Sequence, residues 1–187
     1  GTIAGWNRDQ PSAANVPKVE TKVVYRDRPK LGPVDDFDSF DDTPVSVRKT
    51  YDWKWSDTSL KRMEGVHSNI KRLLTVALQY SPYDAGIAYL GGLRTIEQQL
   101  NLLKQGGKTL IKNSRHLHGL ALDVVMYDEN GNYTQEWRYY AEFEKAVAYA
   151  SQITGIPYTW GGTWTTLKDG AHYELPRDRY PDVVTLA

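Results

Sequence analysis

Residues 114–126 read SRHLHGLALDVVM, a polar loop that leads into an apolar run of strand length. The run Leu120–Met126 predicts a buried strand, and Gly119 before it permits close approach of the backbone. Asp123 interrupts this run, and a buried carboxylate costs several kcal/mol unless a metal, a cation or hydrogen bonds compensate it. The stretch therefore predicts the central strand of the fold, with a polar site on it.

The periodicity on both sides of this strand predicts one α+β domain. The first helix is expected to start with Ser59 as its N-cap and to run to Leu78, because apolar residues recur at helical spacing until Ser81-Pro82. The other predicted elements are a strand Ile87–Leu90, a helix from a capping box at Thr95 to about Gly106, a tight turn at Asn130-Gly131, a helix Trp137–Thr154 capped by Gly155, and strands Tyr158–Trp160 and Ala171–Leu175. This order predicts helices packed on a small, mainly antiparallel sheet.

Residues 1–50 differ from the rest of the chain. They contain five prolines and an acidic stretch over residues 35–42 with no basic residue in it. Such a segment buries too little apolar surface to offset the entropy of ordering it as a domain. We predict a flexible, Pro-rich and acidic linker or tether over residues 1–50, with Val19–Tyr25 as a candidate edge strand, and a folded domain over residues 51–187.

The composition excludes several classes of protein. The 23 basic and 23 acidic residues give a formal net charge of zero, so no global field attracts nucleic acid. Cysteine is absent, so any metal must be held by histidine and carboxylate. No apolar run approaches the roughly 20 residues needed to cross a bilayer, and the mean hydropathy is −0.58.

Two histidines and Asp123 form a candidate metal site. His116 lies in the loop before the central strand, and His172 lies in DGAHYEL, residues 169–175, where strand alternation puts it on one face with Glu174. Two imidazoles and one carboxylate are the ligand set of a catalytic zinc whose fourth position is left to water. An alternative set of His116, His118 and His172 leaves Asp123 buried without a compensating partner.

These residues belong to two motifs, S-x-H-x-x-G-x-A-x-D at residues 114–123 and D-x-x-H-x-E at residues 169–174. Together the motifs resemble the zinc signature of the D-alanyl-D-alanine carboxypeptidase superfamily, and most closely the L-alanyl-D-glutamate endopeptidases of phage endolysins and bacterial wall-remodelling enzymes. The segments SPYD at 81–84, GLRT at 92–95 and WGGTW at 160–164 also resemble that subgroup. The resemblance spans about residues 58–176, with Thr163 where the family usually has Asp.

The resemblance implies a zinc-dependent hydrolase that cleaves the stem peptide of peptidoglycan, with the L-Ala–D-Glu bond as the favoured site of cleavage. It implies that His116, Asp123 and His172 bind Zn²⁺. It further implies that Asp169 is the general base, which takes a proton from the attacking water and passes it to the leaving amine. The domain over residues 51–187 would then be the catalytic domain.

Other residues receive roles around this centre. The resemblance implies that Arg94 faces the scissile carbonyl as a fixed cation and, with Ser114, holds substrate oxygens. Glu174 is a rival base, but its place beside a ligand predicts that it orients an imidazole. Trp160 and Trp164 are expected near the site, with Trp164 in contact with substrate.

Two alternative functions stay open at this point. One is a D-Ala-D-Ala carboxypeptidase of the same superfamily. The other is a non-catalytic, zinc-containing peptidoglycan-binding domain, in which Glu174 or His118 would close the coordination sphere as a fourth ligand. In each case we expect a monomer that acts in the periplasm or cell wall, reached by export, by a removed N-terminal anchor or by holin-mediated release.

Overall fold

The computed structural model describes residues 20–25, 44–106 and 112–185. Its strands are β1 (Glu20–Tyr25), β2 (Pro44–Thr50), β3 (Ala85–Ile87), β4 (Ala121–Tyr127), β5 (Tyr133–Thr134), β6 (Thr159–Trp160) and β7 (His172–Glu174). Its α-helices are α1 (Asp57–Arg62), α2 (Ser68–Gln79), α3 (Ile96–Gln105) and α4 (Trp137–Thr154), and 3₁₀ helices span Arg115–His118 and Gly161–Thr163. The predicted α+β class is confirmed.

The main sheet has five strands and is antiparallel, with β4 at its centre. Its order is β3-β4-β7-β6, and β5 pairs with the end of β4 beyond β7. The register between β4 and β7 places Asp123 directly opposite His172. Strand pairing alone therefore brings together two predicted ligands that are far apart in the sequence.

One face of this sheet carries the helices. Leu122, Val124 and Met126 of β4 join the core cluster that includes α2 and α4, whereas Val125 belongs to a second, smaller cluster. Because strand side chains alternate, Asp123 lies on the face that the helices do not cover. That face receives the loop after β3, in which the Gly91 carbonyl accepts the Asp123 N–H.

Strands β1 and β2 form a separate antiparallel pair. The candidate edge strand at residues 19–25 is thus a strand, although it pairs with β2 and not with the main sheet. The linker predicted over residues 1–50 lies mostly outside the described residues. Within the described part of the chain, no helix is both long and apolar enough to span a membrane.

The single helix predicted from Ser59 to Leu78 is wrong, because the chain forms two helices there. Gly65 adopts a φ of +79° between them, a conformation that glycine reaches without strain. The N-cap of α1 is Ser56, whose hydroxyl accepts the Ser59 N–H. Ser59 itself is buried, and its hydroxyl accepts the Ile87 N–H at 2.8 Å, which ties α1 to β3.

The locally encoded helix ends are confirmed. Thr95 and Gln98 form both hydrogen bonds of a capping box at the start of α3. Helix α4 has the predicted bounds and ends at Gly155, which adopts a left-handed conformation. The predicted strand Ile87–Leu90 is shifted, since β3 ends at Ile87 and Leu90 has a φ of +55°.

Gly92 gives a test of how tightly the loop after β3 is packed. A Cβ at this position would lie 1.9 Å from the Arg62 carbonyl oxygen, a backbone atom that cannot turn away. We expect Gly92→Ala to lower the free energy of unfolding by about 3 kcal/mol, measured by urea denaturation. Gly106→Ala is the control, because Gly106 has a φ of +69° but open space, so it should lose only about 1 kcal/mol. Equal losses in the two variants would contradict the steric argument.

Candidate metal centre

His116 is held by the turn that precedes β4. The Ser114 hydroxyl accepts the His116 N–H and caps the 3₁₀ helix, and Gly119 ends it with a φ of +65°. The Nδ1 of His116 lies 2.9 Å from the Gly92 carbonyl oxygen, which can only accept a hydrogen bond. Nδ1 therefore carries the proton, and the lone pair of Nε2 faces Asp123, 3.2 Å from its Oδ2.

His172 meets Asp123 from the neighbouring strand. Its Nδ1 lies 3.0 Å from Asp123 Oδ1, and its Nε2 lies 3.0 Å from Glu174 Oε1. The ligand atoms of His116, Asp123 and His172 lie within 4.8 Å of one another, and the three residues are 2%, 5% and 6% exposed. The structure thus brings together the three predicted ligands.

The donor set fits a metal ion. Among the described residues, His116 Nε2 is a buried nitrogen without a hydrogen-bond partner, which is costly in a protein interior. This nitrogen lies close to a carboxylate oxygen of Asp123 and an imidazole nitrogen of His172. Two imidazoles and a carboxylate are a ligand set that suits zinc, so this group can hold a metal ion.

The pKa values of the three predicted ligands are shifted in different directions. Burial lowers the pKa of His116, which favours the neutral ring that binds metals. Burial alone would raise the pKa of Asp123, but the two neighbouring histidines hold it well below its usual range. Burial alone would lower the pKa of His172, yet hydrogen bonds to Asp123 and Glu174 raise it to about 9. In the metal-free protein, His172 is therefore protonated at neutral pH.

This difference predicts a proton release on metal loading. His172 must lose a proton to bind through Nδ1, so its pKa of about 9 means that metal affinity increases as the pH rises from 7 towards 9. At pH 7 we expect loading to release roughly one proton or more, measured by calorimetry in buffers of different ionisation enthalpy. Glu174→Gln removes one cause of the raised pKa and should weaken the pH dependence. Loading without proton release would contradict the arrangement.

Arg94 contacts the candidate metal centre. Its Nη2 donates to Asp123 Oδ2 at 3.0 Å, its Nε to the Leu90 carbonyl and its Nη1 to Gln99 Oε1. The guanidinium therefore fixes one predicted ligand. Its contact with substrate stays a prediction, as does that of Ser114, which is buried and serves as a helix cap.

Asp169 lies in the loop before β7. Its Oδ1 accepts the Ala171 N–H, and the side chain is half-buried. Burial and the charge of Asp123 raise the pKa of Asp169 to about 6. A carboxylate with this pKa is mostly ionised at pH 7 and more basic than an ordinary aspartate, as a general base requires.

One tryptophan contacts a predicted ligand, and two others pack together beside the loop before β7. The Trp164 ring centroid lies 4.9 Å from that of His172. Trp160 donates its indole N–H to the Gly170 carbonyl and packs on Trp137, a residue that sequence reasoning did not place here. Thr163, at the position where the family usually has Asp, is exposed and donates to the Trp160 carbonyl.

His118 does not join the centre. Its Nδ1 accepts the N–H groups of Val183 and Val184, and its Nε2 lies 2.7 Å from Asn113 Oδ1. Both ring nitrogens are thus engaged by other partners, which argues against the three-histidine alternative. In the part of the chain that the structure describes, the converging group has three members and includes neither His118 nor Glu174.

A histidine, aspartate and histidine set beside a half-buried carboxylate, on a small antiparallel sheet, is an arrangement that can hold a metal ion for hydrolysis. Residues 51–180 match the model of the phage L-alanyl-D-glutamate peptidase family. The chain belongs to this family and is a peptidase.

A solved structure agrees with the family. The chain is similar to the L-Ala D-Glu endopeptidase ChiX of Serratia marcescens, with 36% sequence identity and a TM-score of 0.62. The similarity covers 70% of this chain and 96% of that one. No curated protein sequence matches the chain significantly.

Proposed function

We propose that this chain is a zinc-dependent peptidoglycan hydrolase that cleaves the stem peptide between L-alanine and D-glutamate. His116, Asp123 and His172 are the zinc ligands in this proposal, and Asp169 is the general base. The observation that carries it is the convergence of the three ligand atoms within 4.8 Å, with His116 Nε2 otherwise unpartnered among the described residues. The family and the similarity to ChiX support the assignment of the bond that is cleaved.

The residues around the centre orient its donors. The Gly92 carbonyl fixes the His116 ring, Glu174 fixes the His172 ring, and Arg94 fixes the Asp123 carboxylate. A zinc ion held there would polarise the scissile carbonyl and lower the pKa of water to about 7. Asp169 would accept the proton of the attacking water and return it to the amine of D-glutamate as the peptide bond breaks.

The positive charge of Arg94 serves the same step. As the scissile carbonyl becomes tetrahedral, negative charge develops on its oxygen. Arg94 lies 3.0 Å from Asp123 Oδ2, so its charge would lie near a carbonyl oxygen bound to the same metal ion. Trp164 would form the wall against which the stem peptide rests.

The substrate determines where the enzyme works. Peptidoglycan stem peptides lie outside the inner membrane, so we propose action in the periplasm or cell wall, by a monomer. We also propose that residues 1–50 are a linker and residues 51–187 the catalytic domain.

Mass spectrometry of peptidoglycan fragments tests this function. Purified peptidoglycan is incubated with the zinc-loaded protein and, in parallel, with chelator-treated protein. New fragments that begin with D-glutamate, formed only by the zinc-loaded protein, are the expected result. Release of free D-alanine would assign the carboxypeptidase activity. Intact fragments in both samples would favour the non-catalytic binding domain.

A further inference from the structure

Arg115 is a fully buried cation that the proposed mechanism does not use. It is 1% exposed and stands next to His116 in the 3₁₀ helix. Its Nη2 donates to the carbonyls of Leu175 and Tyr180, at 2.7 and 2.6 Å. A buried guanidinium is costly to desolvate, so its contacts with the surrounding groups must compensate that cost.

The same guanidinium bridges two carboxylates. Nη1 donates to Asp182 Oδ1 at 3.0 Å, and Nε lies 3.5 Å from Glu174 Oε2. The other oxygen of Glu174 lies 3.0 Å from His172 Nε2. A continuous chain of charged contacts thus runs from Asp182, on the C-terminal segment, to a predicted metal ligand.

A second contact fixes this C-terminal segment. His118 accepts the N–H groups of Val183 and Val184 through Nδ1, and its Nε2 lies 3.4 Å from Asp182 Oδ1. We call residues 180–184, held by Arg115 and His118, the C-terminal clamp. Asp182 lies beyond residue 180, where the match to the family ends, so this part of the clamp is not covered by the family similarity.

We propose that Arg115 and Asp182 are positioning residues that act through Glu174 to set the metal affinity of His172. Arg115 holds the Glu174 carboxylate so that it faces His172 Nε2, and Nδ1 is then the ring nitrogen that presents its lone pair to the metal. Asp182 and the carbonyls of Leu175 and Tyr180 hold Arg115 in place. This inference rests on the proposed function only in taking His172 as a ligand.

A double-mutant cycle on the full chain tests the coupling. The dissociation constant for zinc is measured by competition with a chromophoric chelator. We expect Glu174→Gln to weaken binding by about 10- to 100-fold, the range for partners of metal-bound histidines, and Asp182→Ala by about tenfold or less. If the clamp acts through Glu174, then Asp182→Ala has no further effect in the Glu174→Gln background.

Matched measurements separate this coupling from a loss of folding. Asp178→Ala, at an exposed position just before the clamp, should leave zinc affinity unchanged. The urea midpoint of each zinc-free variant is measured as well, because a purely structural role would lower the midpoint and give additive effects on affinity. Unchanged affinity in Asp182→Ala, or additive effects, would overturn the inference. If wild type itself binds no zinc, the proposed function fails; if it binds zinc and cleaves while the cycle is additive, only the clamp proposal fails.

Discussion

Replacing Asp169 by alanine should remove peptidoglycan cleavage and leave zinc binding intact. Asp169 is outside the converging group of His116, Asp123 and His172, so its loss removes no metal donor. Its raised pKa of about 6 leaves it ionised at pH 7 while making it a better proton acceptor than an ordinary aspartate. Loss of a general base costs about 10² to 10⁴ in rate, so we expect a decrease of that order in kcat/KM.

The measurement combines cleavage kinetics with zinc stoichiometry on the same samples. Asp169→Asn is the sharper variant, because an amide oxygen can still accept the Ala171 N–H and so preserve the loop. Asp178→Ala, which removes an exposed carboxylate, is the control and should cleave at the wild-type rate. Full activity in Asp169→Asn would sink the assignment of the base. If Glu174 were the general base instead, it would have to break its contacts with His172 and Arg115.

The elements that could be predicted from sequence are those with local signals. The capping box at Thr95 and the left-handed Gly155 each depend on residues within one turn of a helix end, and both are in the structure. The break between α1 and α2 was missed because apolar residues keep helical spacing through Gly65. What stops the helix there is tertiary: Leu93 packs against Gly65, and the Arg62 carbonyl faces Gly92.

The candidate site also has some features that the sequence predicts and others that depend on tertiary contacts. His116 and Asp123 are in one motif and His172 is in the other, so the two motifs suffice to find the three residues. The pairing of β4 with β7, which places His172 opposite Asp123, is seen only in the structure. Arg115 is visible inside the same motif, but its partners are carbonyls and a carboxylate some 60 residues later in the chain. Only the folded structure shows that Arg115 has those partners.

Arg94 shows how a predicted role and an observed contact can differ. The resemblance directs this guanidinium at the substrate, whereas the structure places it on Asp123, Gln99 and the Leu90 carbonyl. The two are compatible, because a guanidinium has five N–H donors and these contacts use three of them. In the proposed mechanism, the same cation would also stabilise the charge on a carbonyl oxygen that is bound to the metal beside Asp123.

Removing Asp123 should abolish zinc binding, whereas removing His118 should not. Asp123→Ala deletes the donor between the two imidazoles, so we expect zinc affinity to fall by more than the roughly 100-fold upper range for outer partners of a ligand. The variant also leaves Arg94 and a protonated His172 buried without their carboxylate, which costs about 3 to 5 kcal/mol of folding free energy. Lost binding in Asp123→Ala alone could therefore reflect unfolding.

His116→Ala separates the two causes. The Nε2 of His116 has no hydrogen-bond partner among the described residues, so its removal deletes a ligand without stranding a buried charge. We expect this variant to stay folded by circular dichroism and to bind no zinc at equimolar concentration, while His118→Ala still takes up one equivalent at saturation. Zinc retained in Asp123→Ala but lost in His118→Ala would establish the three-histidine set. Only that set includes His118, whose two ring nitrogens contact Asn113 and the C-terminal segment in this structure.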